Sequence, residues 1–566
     1  MPYRAPVAEI RFVLDRIVGF DQVAATELFT DATPDTVEAI LLEAGKLVET
    51  EIAPLNKGSD QHHSRLENGK VRAAPGFDRA YAAIRDGGWV GVASSPDYGG
   101  MGLPFTVSTA VNEMIASGCL ALQLKPLLSQ GQIEALEHHA SDELKALYLP
   151  KLISGEWSGT MNLTEPQAGS DVGALRSKAE PNGDGSYAVT GQKIFITWGD
   201  SDLVENVCHL VLARLPDGAP GTKGISLFMV PKFLPDENGN PGQANSLKVV
   251  SIEHKLGIHG SPTCVMQFDG AKGWLVGAPH AGMAAMFTMM NNARLGVGMQ
   301  GVAVAEAAYQ HALAYAQDRK QGKTPLGATG IIDHADVRRM LAAMKADLFT
   351  ARAIGLACAV ALDMARATGS AEWEARAALL TPIAKAFGTD VGNEVASAGV
   401  QVHGGMGFIE ETGAAQYLRD ARILPIYEGT NGIQAMDLVA RKMMDGGAAA
   451  FRLLQEVEDH ARDARTTQPD LAGAVWNAAE ALREATEWLL AQDLNDRFAG
   501  ATCYLRAFAR VLGGHYHLKA ALADPARLPL AAVAIKRLLP EHLALLAQMR
   551  EGAAGLYDLT PELLAS

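Results

Sequence analysis

The sequence predicts a mainly α protein with a β domain in its middle. Three observations lead there. Apolar residues recur at spacings of three and four on both sides of residues 156–276. Within those residues they gather instead in short β-branched and aromatic runs. No strand–helix alternation appears anywhere, which disfavours a doubly wound parallel sheet. At 566 residues, 48% hydrophobic and 20% charged, the chain exceeds what one core serves, so several domains are expected and disorder is excluded.

Taken in order, residues 1–155 read as an N-terminal helical domain. Val37, Ile40, Leu41 and Ala44 share a helical face, as do Leu144, Leu147, Tyr148 and Leu152, with the Gly/Pro-rich PDYGGMGLP between them as a loop. Residues 156–276 read as an antiparallel β domain. Its runs YAVTGQKIFIT, HLVLAR, ISLFMVP, SLKVVSI and CVMQFD are separated by Gly, Pro, Asp and Asn, and residues 232–246 form a long polar loop. Residues 277–445 read as a four-helix bundle. Val337, Leu341, Met344, Leu348, Ala351, Gly355, Cys358 and Leu362 mark one long seam, and a second helix runs from Glu372 towards Ala398. Residues 446–566 read as an additional helical domain, a hairpin or bundle of its own. The run from Leu471 to Leu489 and the run from Leu494 to Leu512 each step by three and four; these faces would cover the bundle or a subunit interface.

Charge and cysteine content exclude several functions. The net charge is −15 and no Lys/Arg cluster offers a basic face, so nucleic acid is not an expected partner. Five scattered cysteines without a CxxC pair imply neither a disulfide framework nor a cysteine zinc site. His62, His63, His138 and His139 lack a third partner at ligand spacing, so no metal is expected. Charged Arg4, Glu9, Arg11 and Asp15 stand where a signal peptide needs an apolar run, and the most apolar charge-free stretch, 353–362, is too short for a bilayer. A cytoplasmic protein without membrane insertion is the expectation. Gly296, Gly298 and Gly301 spell GxGxxG, but helix rather than strand precedes them, so they are read as sites of close helix packing. Gly322-Lys323-Thr324 lacks the leading glycine of a P-loop. Met283, Met286, Met289 and Met290 are read as core packing, compatible with an acyl pocket.

Three segments carry chemistry. MNLTEPQAGSDVGAL (161–175) sets hydroxyls beside a Pro-Gly turn, and GQKIFITWGD (191–200) is a strand ending at Thr197 and Trp198. In RDARILPIYEGTNGIQ (419–434), Glu428 is a lone acid flanked by Ile423, Leu424, Ile426 and Tyr427. Apolar neighbours desolvate a carboxyl and raise its pKa, which suits a base. Together with KLGIHGSPTC, ARLGVGMQG, DRKQGK and QVHGGMGF, which follow one another along the chain in the family's order over roughly 34–442, these segments resemble the acyl-CoA dehydrogenase family of flavoproteins.

The resemblance implies the domain order just read. It also implies that Glu428 removes the α-proton of an acyl-CoA thioester while the β-hydride passes to N5 of FAD, giving a trans-2-enoyl-CoA. The family polarises the thioester with the Glu N–H and a ribityl hydroxyl. By position, Met161, Leu163, Thr164, Phe195 and Thr197 would face the flavin, and Ser170 would meet the pantetheine or an FAD phosphate. Asn291, Arg294, Tyr427 and Gly429 would serve the substrate. Arg319, Gln401, Gly404 and Gly405 resemble residues that hold the FAD of a neighbouring subunit, while Thr430 and Asn431 resemble contacts to FAD phosphates and adenine. A homo-oligomer, a dimer first, and an electron-transfer flavoprotein as acceptor follow from the same resemblance. Departures are Phe195 for a common Trp, Gln167 for a common Gly and Gly432 for a common polar residue.

The segment after Lys442 and the run IIDHADVRRML (331–341) are similar to the large subclass with an extra C-terminal helical domain. Within it the overall resemblance is to members acting on 3-(methylthio)propanoyl-CoA. Alternatives left open are a short- or medium-chain fatty acyl-CoA dehydrogenase, an acyl-CoA oxidase passing electrons to O₂, and an inactive helical scaffold.

Overall fold

The computed structural model describes residues 2–566. Two compact units emerge, one of residues 2–5 and 43–293, the other of residues 6–42 and 294–566.

The first unit joins helices to a mixed sheet. Phe105–Gly118 and Leu120–His139 are buried almost throughout, which is why their sequences show no polar face. The seven strands run in the order Leu247–Ile252, Thr263–Val276, Tyr187–Thr197, Lys178–Pro181, Asn206–Arg214, Trp157–Asn162, with Ile225–Pro231 pairing Thr263–Val276 and Asn206–Arg214. Most pairings are antiparallel, as the sequence predicts. Asn206–Arg214 differs, because it runs parallel to both Trp157–Asn162 and Lys178–Pro181. Val189, Ile196, Val211, Phe228, Met266 and Phe268 fill the sheet's core. Residues 232–246 are not a plain loop: Phe233–Pro235 and Pro241–Ala244 pair as a short hairpin, as do Arg65–Glu67 and Lys70–Arg72 in the region read as helical. Such three- and four-residue strands are too short to show a period.

The second unit is helical. Ala335–Thr368 and Ala371–His403 lie side by side, and the glycines of the GxGxxG string explain how the third long helix, Gly282–Asp318, closes on the latter. A Cβ on Gly301 would sit 2.1 Å from the Gly388 carbonyl oxygen, and one on Gly298 would sit 2.6 Å from that of Ala384. Ala335–Thr368 is long and apolar enough to cross a membrane, with mean hydropathy 1.6 over its most apolar stretch, but 89% of that stretch is buried inside the protein. It is a core helix.

The tail does not stand apart as a bundle of its own. Leu494–Ala523 packs on both long helices: Arg510 pairs with Asp347, Arg506 bonds Glu394 at 2.7 Å, and His517 meets the Ala346 carbonyl at 3.1 Å. The first helix, Val7–Arg16, joins this unit too. Its Glu9 bonds Arg527 at 2.8 Å, and the Arg527 guanidinium lies 3.6 Å from the Phe12 ring centre. Burial alone would raise the Glu9 pKa, but Arg527, with the charges of Lys345 and Arg352, holds it at about 2.

Candidate active site

Glu428 sits in the turn between the helices Ala414–Ala421 and Asn431–Val439. The chain coils through buried Leu424 and then reverses at Glu428 (φ +57°) and Gly429 (φ +84°). Two left-handed residues in a row let the next helix start at once, capped by the Thr430 hydroxyl on the Ile433 N–H. A Cβ on Gly429 would lie 2.8 Å from Gln434 Nε2, so glycine is required there for space as well as for φ. Gln434 in turn donates to the Glu428 carbonyl at 3.2 Å. Among the described residues, no backbone acceptor takes the Glu428 N–H.

Burial pushes the Glu428 carboxyl up to about 7, against the pull of Arg294 and Lys385. The residue remains partly open to solvent, the access a reactant needs. Arg294 is buried and 3.7 Å from Asp437, which also forms an ion pair with Arg441 at 2.6 Å. The Tyr427 hydroxyl is spent on Gln300. Asn431 amends an expectation. Its carbonyl oxygen accepts from Lys385 (3.0 Å) and Thr389 (3.2 Å), and its amide nitrogen donates to Asp390 (2.7 Å) and Ala386 (3.2 Å). That amide is saturated inside the protein and ties the Glu428 turn to the long helix, so it has no hydrogen-bonding capacity left for a cofactor.

In the other unit the strand Tyr187–Thr197 carries a bulge. Cys264 faces Ile196 and Met266 faces Lys193, so two residues oppose Val265 alone. Phe195, one of the two, has φ +60° and is 59% exposed. Bulges re-aim side chains in this way. Partly exposed Met161 and Thr197 stand on strands of the same sheet, and partly exposed Leu163 and Thr164 follow the strand of Met161 directly. Exposed apolar side chains together with hydroxyls suit a planar ring with polar edges, so the residues present fit a flavin. The TEPQAGSD turn is anchored rather than flexible. Buried Glu165 accepts from Lys193 (2.8 Å), Ser177 (2.6 Å) and the Arg176 N–H (2.7 Å). Burial would raise its pKa, but Lys193 above all holds it at about 2. Gln167, one of the departures, donates to the same carboxylate at 2.7 Å. Ser170 and Asn291 are exposed.

Arg319, Gln401, Gly404 and Gly405 are exposed on the helical unit, and nothing lies within 4 Å of where a Cβ on either glycine would be. Phe408 nearby is 86% exposed. Among the described residues no metal-binding cluster exists, and every cysteine is free.

Comparison with known proteins decides the family. Residues 34–156, 160–271 and 280–444 match the N-terminal, middle and C-terminal domains of acyl-CoA dehydrogenase. This chain belongs to the acyl-CoA dehydrogenase family. Residues 453–560 further match the acetyl-CoA dehydrogenase C-terminal-like domain, which accounts for the extra helices of this acyl-CoA dehydrogenase. It is 46% identical over 542 residues, 93% of this chain and 92% of the other, to 3-methylmercaptopropionyl-CoA dehydrogenase of Ruegeria pomeroyi. It is 38% identical, over 81% of this chain and 78% of the other, to the broad-specificity linear acyl-CoA dehydrogenase FadE5 of Mycobacterium tuberculosis. Its fold is similar, with TM-score 0.76 and 20% identity over 97% of this chain and 92% of the other, to an acyl-CoA dehydrogenase of Bacillus anthracis solved with FAD. This is an FAD enzyme acting on acyl-CoA thioesters. Lys385, Gln434, Glu165 and Lys193 were not singled out from the sequence. In a linear reading a lysine within an apolar helix run looks like a surface residue, and only its burial reveals it.

Proposed function

We propose that Glu428 is the base that takes the α-proton of 3-(methylthio)propanoyl-CoA in its conversion to the trans-2-enoyl-CoA. One observation carries the assignment of the base: a carboxyl at a left-handed turn, desolvated until its pKa is about 7. A carboxylate near neutral pKa is charged at working pH yet basic enough to accept a proton from carbon. Covering it with an acyl chain removes more water and strengthens it further. The Glu428 N–H, without a backbone acceptor, would donate to a thioester oxygen. Arg294 and Gly429 serve the substrate side. Bound FAD supplies the acceptor for the β-hydride, held by Met161, Leu163, Thr164, Phe195 and Thr197 on the sheet and, from a neighbouring subunit, by Arg319, Gln401, Gly404 and Gly405. The choice of substrate is supported by the 46% identity over nearly the whole length of both chains. A cytoplasmic homodimer that hands its electrons to an electron-transfer flavoprotein completes the reading.

Anaerobic mixing with 3-(methylthio)propanoyl-CoA tests it directly. The wild-type flavin absorbance should bleach, while Glu428→Gln should keep FAD and lose at least about 10²-fold in the bleaching rate. A Gln variant that bleaches at the normal rate removes Glu428 from the mechanism. An acyl-CoA panel in which butyryl-CoA outruns the thioether substrate removes the substrate instead.

A further inference from the structure

The turn carrying Glu428 is held by a side chain that the chemistry above does not use. Lys385 belongs to the helix Ala371–His403 and is 0% exposed. Its Nζ donates to the Leu424 carbonyl (3.0 Å), the Gly429 carbonyl (2.8 Å) and Asn431 Oδ1 (3.0 Å). An ammonium has three hydrogens, and all three are spent on the loop around Glu428. One bond falls before the carboxylate in the chain and two fall after it. Together they bracket the residue whose φ is +57° and the glycine that follows it. A left-handed non-glycine residue costs about 1–3 kcal/mol and persists only where its surroundings impose it.

The charge needs its own explanation. Taking an ammonium out of water is costly, and three neutral acceptors compensate it only in part. A neutral amide or a water would bridge carbonyls to the same effect. A cation is useful here because a carboxylate sits beside it: Lys385 and Arg294 are the groups whose charges favour ionised Glu428. Arg294 is shared with Asp437, which Arg441 also engages, whereas among the described residues the Lys385 Nζ bonds two carbonyls and an amide oxygen and no acid. Asp390, bonded by Asn431, and Tyr427, bonded to Gln300, complete the titratable groups around the turn.

We propose that Lys385 is a positioning residue for the base, one ammonium that both fixes the Glu428–Gly429 turn and, while protonated, sets a positive charge near the Glu428 carboxylate. This rests on Glu428 being the base. Lys385→Met removes charge and donors; Lys385→Gln removes the charge and keeps donors. In the FAD-bound full-length enzyme both variants should move the acidic limb of the kcat/KM profile up by about one pH unit. Lys385→Met alone should also speed amide hydrogen exchange in residues 424–434 and lower kcat at pH 8 about tenfold or more, with KM changing less. Wild-type pH profiles in both variants overturn the proposal. So does failure of both to accumulate as folded FAD-bound protein, since Lys385 is then a determinant of the fold alone. Glu428→Gln run alongside separates the two readings. If it retains activity, the base assignment fails; if it is inactive while the lysine variants behave as wild type, only the role of Lys385 fails.

Discussion

At Glu428 two unfavourable choices coincide, a left-handed backbone at a residue with a Cβ and a carboxyl lifted by burial from 4.5 to about 7. The sign of the pH dependence follows. A carboxyl whose folded pKa is raised binds its proton more tightly in the native state, so stability declines as pH rises from about 4.5 through 7. Glu428→Gln should therefore stabilise the protein by about 1–3 kcal/mol at pH 8 and add almost nothing at pH 4.5. Thermal denaturation at the two pH values measures it, and an equal gain at both would contradict the buried-carboxylate account. The same pKa sets the rate: kcat/KM should fall below about pH 7 as the base protonates, tenfold per unit at the limit. Glu428 was legible in the sequence because an acid among Ile423, Leu424, Ile426 and Tyr427 has few other reasons to be there. Asn431 was legible as a position but not in its role, because what an amide bonds depends on neighbours far along the chain.

At the scale of elements, the helix pair 282–318 and 371–403 approaches backbone to backbone. Gly301 would press a Cβ to 2.1 Å from the Gly388 carbonyl, and Gly388 would press one to 2.5 Å from that of Gly298. Backbone cannot rotate aside as a side chain can, so Gly301→Ala should cost about 2–4 kcal/mol. Gly473, with open space where its Cβ would go, is the control within Pro469–Ala491, and Ala there should stabilise by about 0.4–1 kcal/mol. Calorimetric midpoints report both; a harmless Gly301→Ala would mean that the helices slide apart at little cost. The long helices and the strands Tyr187–Thr197 and Ile225–Pro231 stood out in the sequence because period and composition agree over many residues. The bulge at Phe195 did not, since one extra residue leaves no trace in an alternating pattern.

For the whole molecule, the tail is structural material for the helical unit. Arg510 is buried between Asp347 and Glu541, and burial raises the pKa of Asp347 in spite of Arg510. Arg510→Ala strands that carboxylate in the core and should cost about 3–5 kcal/mol, read as a lowered thermal midpoint. A chain ending at residue 445 uncovers the faces of Ala335–Thr368 and Ala371–His403 that Leu494–Ala523 now buries, and should aggregate, whereas a soluble, FAD-loaded truncation would make the tail an accessory. The proposed dimer predicts a mass in solution of twice 59.9 kDa. The amino-acid string determined the class of fold and the family, and it pointed to the acid now proposed as the base, because periodicity, composition and ordered motifs are local properties that survive in one dimension. Only the folded chain decided that Val7–Arg16 joins the last helices through Glu9 and Arg527, that Asn206–Arg214 runs parallel to Trp157–Asn162 and Lys178–Pro181, and that Lys385 is buried against the turn of Glu428. These depend on pairings between residues tens to hundreds of positions apart, and burial, which sets their electrostatics, exists only once the chain has packed.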